Sequence, residues 1–160
     1  MGHHLYILRH AHALQLEKNG IDKERRLSPE GLLQATQLGR LLQNAKHKID
    51  RIIASDAQRT RSTAIQLATE INYPIKEIRF DERLYNCTLD YALEAVKLTP
   101  NSVTNLLLVG HYPSVLQLHN YLSGFTKETM MPCEVSMLTF STGWSDIDEA
   151  SAGISFNHCP

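Results

Sequence analysis

The sequence predicts an α/β fold: a three-layer sandwich with a mostly parallel central sheet, helices on both faces and an antiparallel edge. Three observations predict it. Short apolar runs alternate with helical patterns through most of the chain, the rhythm of strand–helix units laid on a buried sheet. Towards the end the rhythm changes to two strand-like runs, Val135 to Phe140 and Ala152 to Phe156, with Thr142-Gly143 between them, which reads as an antiparallel edge pair. His10 and His111, alone among eight histidines, directly follow apolar strand-like runs, and open α/β sheets put their ligand sites at such strand ends.

Strands are expected at about 4–9, 51–54, 77–80 and 105–109. The first carries Leu5-Tyr6-Ile7-Leu8 into Arg9-His10-Ala11, and the last carries Asn105 to Val109 into Gly110-His111. Between them, Ser28-Pro29-Glu30 is a helix start: an N-cap, a first-turn proline and a carboxylate at the positive helix end. Leu32, Leu38, Leu41, Leu42 and Ala45 then keep helical spacing, and Ala64, Ala68 and Ile71 form a second stripe after Asp56. Ala92, Leu93 and Val96 suggest a short helix before the turn at Thr99-Pro100-Asn101-Ser102. Val115, Leu118, His119 and Leu122 line one face of a helix that begins near Pro113, beside His111, and stops at Ser123-Gly124.

With 160 residues the chain is expected to be a single domain, 1–160, and it is too short for a barrel of eight strand–helix units, which takes about 250. A formal net charge of −1 supplies no global field for nucleic acid or an anionic membrane, so neither is an expected partner and any anion must be gripped locally. Cys87, Cys133 and Cys159 lack the spacing of a disulfide framework or zinc knuckle. The N-terminal apolar run is too short for a signal peptide or a membrane span and ends in Arg-His, so a cytoplasmic location is expected. No role is assigned to His3 and His4.

The chemistry lies in a conjunction. Arg9-His10 ends one strand, Ser55-x-x-x-Arg59 follows another and Gly110-His111 follows a third, so two arginines and two imidazoles can meet at one anion pocket. A histidine nucleophile must be neutral on its attacking nitrogen, whereas a transferring phosphoryl group needs positive charge around its equatorial oxygens. Arg9 and Arg59 offer permanent charge and forked donors. His111, if protonated, donates another hydrogen bond, and charge beside His10 lowers its pKa.

This conjunction resembles the histidine phosphatase superfamily, with its phosphoglycerate mutase-like fold, and within it the compact SixA-type phosphohistidine phosphatases. The resemblance runs through Leu5 to His12, Arg26 to Gly31, Ser55 to Ala64, Leu84-Tyr85, Val109 to Pro113, Met131-Pro132 and Trp144. Two positions depart from the common pattern: Ala11 stands where glycine is frequent, and Tyr112 where asparagine is.

The resemblance implies that His10 is the nucleophile of a two-step, phosphoenzyme mechanism, that Arg9 and Arg59 bind phosphate, and that His111 completes the catalytic pair. It implies no cofactor and no metal. The implied substrate is a phosphorylated protein, a histidine phosphotransfer domain among the candidates. Asp81 and Glu82 follow the third strand near where some relatives carry a proton donor, but Phe80-Asp81-Glu82-Arg83 is also a normal strand exit and reads rather as a solvated turn, which tilts the reading towards a phosphoramidate substrate. Arg61, two residues beyond Arg59 on a helix, is expected to face elsewhere. The alternatives are a small-molecule phosphomonoesterase or mutase of the same superfamily, a metal-dependent hydrolase using His10-x-His12, and a non-catalytic phosphoprotein-binding module.

Overall fold

The computed structural model describes residues 2–160. Strands β1 (His3–Arg9), β2 (Arg51–Ser55), β3 (Arg79–Asp81), β4 (Asn105–Gly110), β5 (Val135–Phe140) and β6 (Gly153–His158) form one sheet in the order β3-β2-β4-β1-β5-β6. The pairs β1–β4, β4–β2 and β2–β3 are parallel, whereas β5 and β6 add antiparallel at one edge. The helices are α1 (Pro29–Asn44), α2 (Gln58–Glu70), α3 (Leu89–Lys97) and α4 (Ser114–Ser123).

The topology explains the three layers. The chain steps outward from β1 through β2 to β3, then back to β4 between β2 and β1, and this reversal puts the two sets of helices in separate cores on opposite faces. One core therefore joins α1 and α2 to the sheet through Ala35, Leu38, Leu42, Ala64, Leu67 and Ala68. The other joins α3 and α4 through Ala92, Val96, Val115, Leu118 and Leu122, with Trp144 packed among them. Trp144 is fully buried, and its indole N–H donates to the Val103 carbonyl at 2.7 Å, so its polar atom is satisfied.

Three details differ from the sequence reading. β3 starts later than expected because Ile75–Glu77 winds into a 3-10 turn after Pro74, whose carbonyl accepts the Glu77 N–H at 2.9 Å. β6 runs further, pairing His158 with Val135. On α1, Leu32 and Ala45 are exposed, and the buried face is Gly31, Ala35, Leu38, Gly39 and Leu42. Small residues line this seam, so a stripe drawn through leucines alone misses it.

Candidate functional site

Strand register assembles the site. Arg9 lies opposite Gly110, and Val109 lies opposite both Leu8 and Ala54, so the chain leaves β1, β4 and β2 at one rim of the sheet. There the His10 N–H donates to the Gly110 carbonyl at 3.0 Å. Two glycines permit the close approaches around this rim. A Cβ on Gly110 would lie 2.8 Å from a methyl of Val115, and one on Gly31 would lie 2.0 Å from the His12 carbonyl oxygen. Gly31 is also held by the expected N-cap, its N–H donating to Ser28 Oγ at 3.0 Å.

His10 is 8% exposed, and both ring nitrogens are engaged. Nδ1 lies 2.8 Å from the Ala11 carbonyl, which can only accept, so the proton resides on Nδ1 and Nε2 presents its lone pair. The Arg59 Nε–H donates to that nitrogen at 3.3 Å. The Ala11 peptide is fixed in turn by Thr63, whose hydroxyl accepts the Ala11 N–H at 3.0 Å and donates to the Arg59 carbonyl at 2.7 Å. Burial first, then the charges of Arg59, Arg9 and Arg25, push the His10 pKa down to about 4, outweighing the Ala11 bond. The ring is therefore neutral near pH 7, with burial a larger cause than the neighbouring charge to which the sequence reading ascribed it.

Arg59, on the first turn of α2, is buried and aimed by a residue that sequence reasoning missed. Its Nη atoms donate to the Asp22 carbonyl at 2.7 Å and to Asp22 Oδ2 at 3.0 Å. The Tyr85 hydroxyl donates to the same carboxylate oxygen at 2.6 Å, and Arg25 reaches the other at 3.0 Å. The Tyr85 bond, with Arg25 and Arg59, holds the Asp22 carboxyl well below the usual carboxylate range against the opposing effect of burial. Asp22 opens, and Arg25 ends, a single 3-10 turn within a loop whose ends are pinned by the Ala13–Leu27 bridge, and no periodicity marks them. The only available signal was their proximity to the Leu27-Ser28 helix start.

Arg9 donates from Nη1 to the Met130 carbonyl at 2.7 Å, its guanidinium lies 5.2 Å from the centre of the Tyr112 ring, and its buried Nε has no partner. His111, 3% exposed, lies 5.3 Å from His10 between ring centres and meets the Tyr85 ring edge-on at 5.4 Å. Its Nε2 is 2.8 Å from Ser55 Oγ, while its buried Nδ1 is unpartnered. Burial, then His10 and Arg59, push its pKa down to about 3. The protonated His111 considered from sequence is thus disfavoured in this pocket, although a neutral imidazole can still donate from one nitrogen.

The remaining candidates are placed elsewhere. Arg61 stacks on Phe80, with 3.9 Å from guanidinium to ring centre. Asp81 is consumed as a cap, accepting from Arg83 and from the Tyr91 hydroxyl at 2.7 Å, and Glu82 is exposed. His12 bonds Ser28 Oγ at 2.7 Å and lies 3.9 Å from Glu30. Among the described residues, no group of three His, Cys, Asp or Glu side chains is arranged to hold a metal ion, so His10-x-His12 gains no further ligands. No helix among them is long and apolar enough to cross a membrane. A cleft of about 580 Å³ is lined by His111 and Tyr112, and another of about 670 Å³ by Arg25 and Gln58.

Two arginines and two histidines thus meet at one rim of an α/β sheet, and comparison with known proteins gives the family. The family model of the histidine phosphatase superfamily (branch 1) matches residues 5–94, and the chain belongs to that superfamily. It is 28% identical over 160 aligned residues to the uncharacterized protein Rv1276c of Mycobacterium tuberculosis, covering 93% of this chain and 98% of that one. Its fold matches a crystal structure assigned as phosphohistidine phosphatase SixA from Agrobacterium tumefaciens, with a TM-score of 0.86 at 20% identity, over 99% of this chain and 98% of that one. It also matches the protein histidine phosphatase SixA complexed with tungstate, with a TM-score of 0.82 at 20% identity, over 96% and 95% of the two chains. The architecture is therefore the SixA-type, phosphoglycerate mutase-like one.

Proposed function

We propose that this protein is a phosphatase that removes the phosphoryl group from phosphohistidine on a partner protein, with His10 as covalent nucleophile. The observation that carries the reading is the state of His10: Nδ1 tied to the Ala11 carbonyl, Nε2 presenting its lone pair, and arginine charge around a ring that burial keeps neutral. Arg9 and Arg59 hold the phosphoryl oxygens. Nε2 attacks phosphorus in line as the P–N bond to the substrate imidazole breaks, and that imidazole takes a proton from solvent as it leaves. Water then attacks the phosphorus on His10, releasing phosphate and restoring neutral His10.

In this scheme His111 supplies a neutral donor. If the Ser55 hydroxyl donates to Nε2, the ring proton stands on the unpartnered Nδ1, free for a phosphoryl oxygen. The charge on the transferring group is met by side chains alone, so the reaction is proposed to need no metal. Asp81 is engaged as a cap and Glu82 is exposed. This favours a leaving group that needs little acid assistance, an imidazole over an alkoxide. The name of the tungstate-bound neighbour, a protein histidine phosphatase, points to the same substrate class, with a histidine phosphotransfer domain in a signalling relay as the partner proposed.

The test compares specificity constants for a phosphohistidine protein, phosphoserine and small sugar phosphates, with and without a chelator. The phosphohistidine protein is expected to be preferred and its hydrolysis to survive chelation. A sugar phosphate preferred together with a large loss in Glu82→Gln would move the protein to the small-metabolite branch. Activity that vanishes on dialysis and returns with zinc would revive the metal reading.

A further inference from the structure

Behind the proposed phosphate clamp lies a charge pair, a buried glutamate and a partly buried lysine, that the mechanism above does not use. Glu134, 3% exposed, opens the chain into β5. One carboxylate oxygen accepts from the Lys127 ammonium, and the other accepts the Met131 N–H at 2.7 Å. Lys127 is itself fastened to α4, because Asn120 accepts the Lys127 N–H at 3.0 Å and donates to its carbonyl at 2.9 Å. Between these anchors runs the turn 130–134, which grips the end of β1. The Glu134 carbonyl accepts the Arg9 N–H at 3.1 Å, and the Cys133 N–H donates to the carbonyls of both Arg9 and His10. The Met130 carbonyl accepts from the Arg9 guanidinium.

A carboxylate this buried is costly to place unless paired, and the pair, bonded also to Asn157, braces a five-residue turn that bonds the main chain of Arg9 and His10 and the side chain of Arg9. Resting on the reading that Arg9 binds the phosphoryl group, we infer that Glu134 and Lys127 are positioning residues that aim Arg9, tying the end of β1 to the helix that follows His111. They touch no substrate. Their removal loosens the turn, and the guanidinium loses its fixed direction towards the oxyanion.

Tungstate binding to the intact protein, measured by calorimetry, tests this without requiring turnover. Glu134→Gln is expected to weaken tungstate about tenfold while leaving the protein folded. In an Arg9→Lys background the same change should cost less than about twofold, because there is no longer a guanidinium to aim, whereas in an Arg59→Lys background the losses should multiply. If Glu134→Gln is poorly folded, Lys127→Met with Glu134→Gln removes both charges, leaves none buried alone and carries the same expectation. Wild-type affinity in the folded Glu134 variant, or losses that multiply with Arg9→Lys, overturns the inference alone. Wild-type affinity in Arg9→Lys overturns the clamp reading itself.

Discussion

His10 and His111 leave adjacent parallel strands at the same height, yet the protein holds them in opposite ways. His10 has a partner on each ring nitrogen, supplied by the neighbouring Ala11 peptide and by Arg59, and its main chain is braced by Gly110 and Cys133. His111 has one side-chain partner, Ser55, and a second nitrogen that is buried with nothing to bond. A fixed tautomer suits an atom that must form a bond along one line. A buried nitrogen without a protein partner is open to a ligand or a water. The difference separates a proposed nucleophile from a proposed donor more sharply than the shared word histidine does.

The strongest way to break that comparison is to remove each ring. His10→Ala should abolish the acid-labile, base-stable label left by brief incubation with a labelled phosphodonor, and lower kcat/KM by about a thousandfold or more. His111→Ala should still take up label, with kcat/KM reduced about a hundredfold, the scale of losing one preorganised donor. Label that persists without His10, or equal losses in the two variants, would erase the distinction. Arg59 offers an intermediate case, since a lysine there cannot both reach His10 and keep the two bonds to Asp22.

How much of this was legible in the sequence follows from what each feature depends on. Strand ends and helix starts are local: an apolar run into Arg9-His10, or Ser28-Pro29-Glu30 before a helical stripe, carries its own signal, and these elements lie where the sequence puts them. The same logic brought Arg9, His10, Arg59 and His111 to one rim. Asp22 is different. It acts by reaching Arg59, 37 positions away, from a loop with no repeat pattern, and its meaning exists only once α2 packs beside that loop. Glu134 is hidden for the same reason, as one acidic residue before an apolar strand. Gly39 shows the converse failure, a packing residue with no hydrophobic side chain to announce it.

Acid should expose the shared feature of the two histidines, their burial as neutral rings. Their folded pKa values, about 4 and about 3, lie below the ordinary histidine value of about 6.5, so between pH 6.5 and 4 the unfolded chain binds protons that the folded chain does not. Stability from this source is complete above pH 6.5 and is lost as pH falls through that window. The melting temperature is expected to drop from pH 7.5 to pH 5, and to drop less in His10→Ala and in His111→Ala. An NMR titration should find the His10 ring still unprotonated at pH 5.5. A midpoint near 6.5 would mean that neither burial nor arginine charge governs it.

The smallest expected effect sharpens the contrast from the His111 side. Ser55 Oγ accepts the Ala57 N–H at 3.3 Å and meets His111 Nε2 at 2.8 Å, so the hydroxyl's own hydrogen is available to that nitrogen. If it is spent there, the imidazole proton is directed to Nδ1, and Ser55 selects the tautomer that donates to substrate. Ser55→Ala removes this selection but neither imidazole, and water entering the gap can replace part of it. A loss of about three- to tenfold in kcat is therefore expected, with little change in KM, because the donor matters most when charge grows on the phosphoryl oxygens. In a His111→Ala background the same substitution should cost nothing further. Additive losses would show that Ser55 acts through its bond to the start of α2 and not through His111, leaving the tautomer of the second histidine to be set by the substrate.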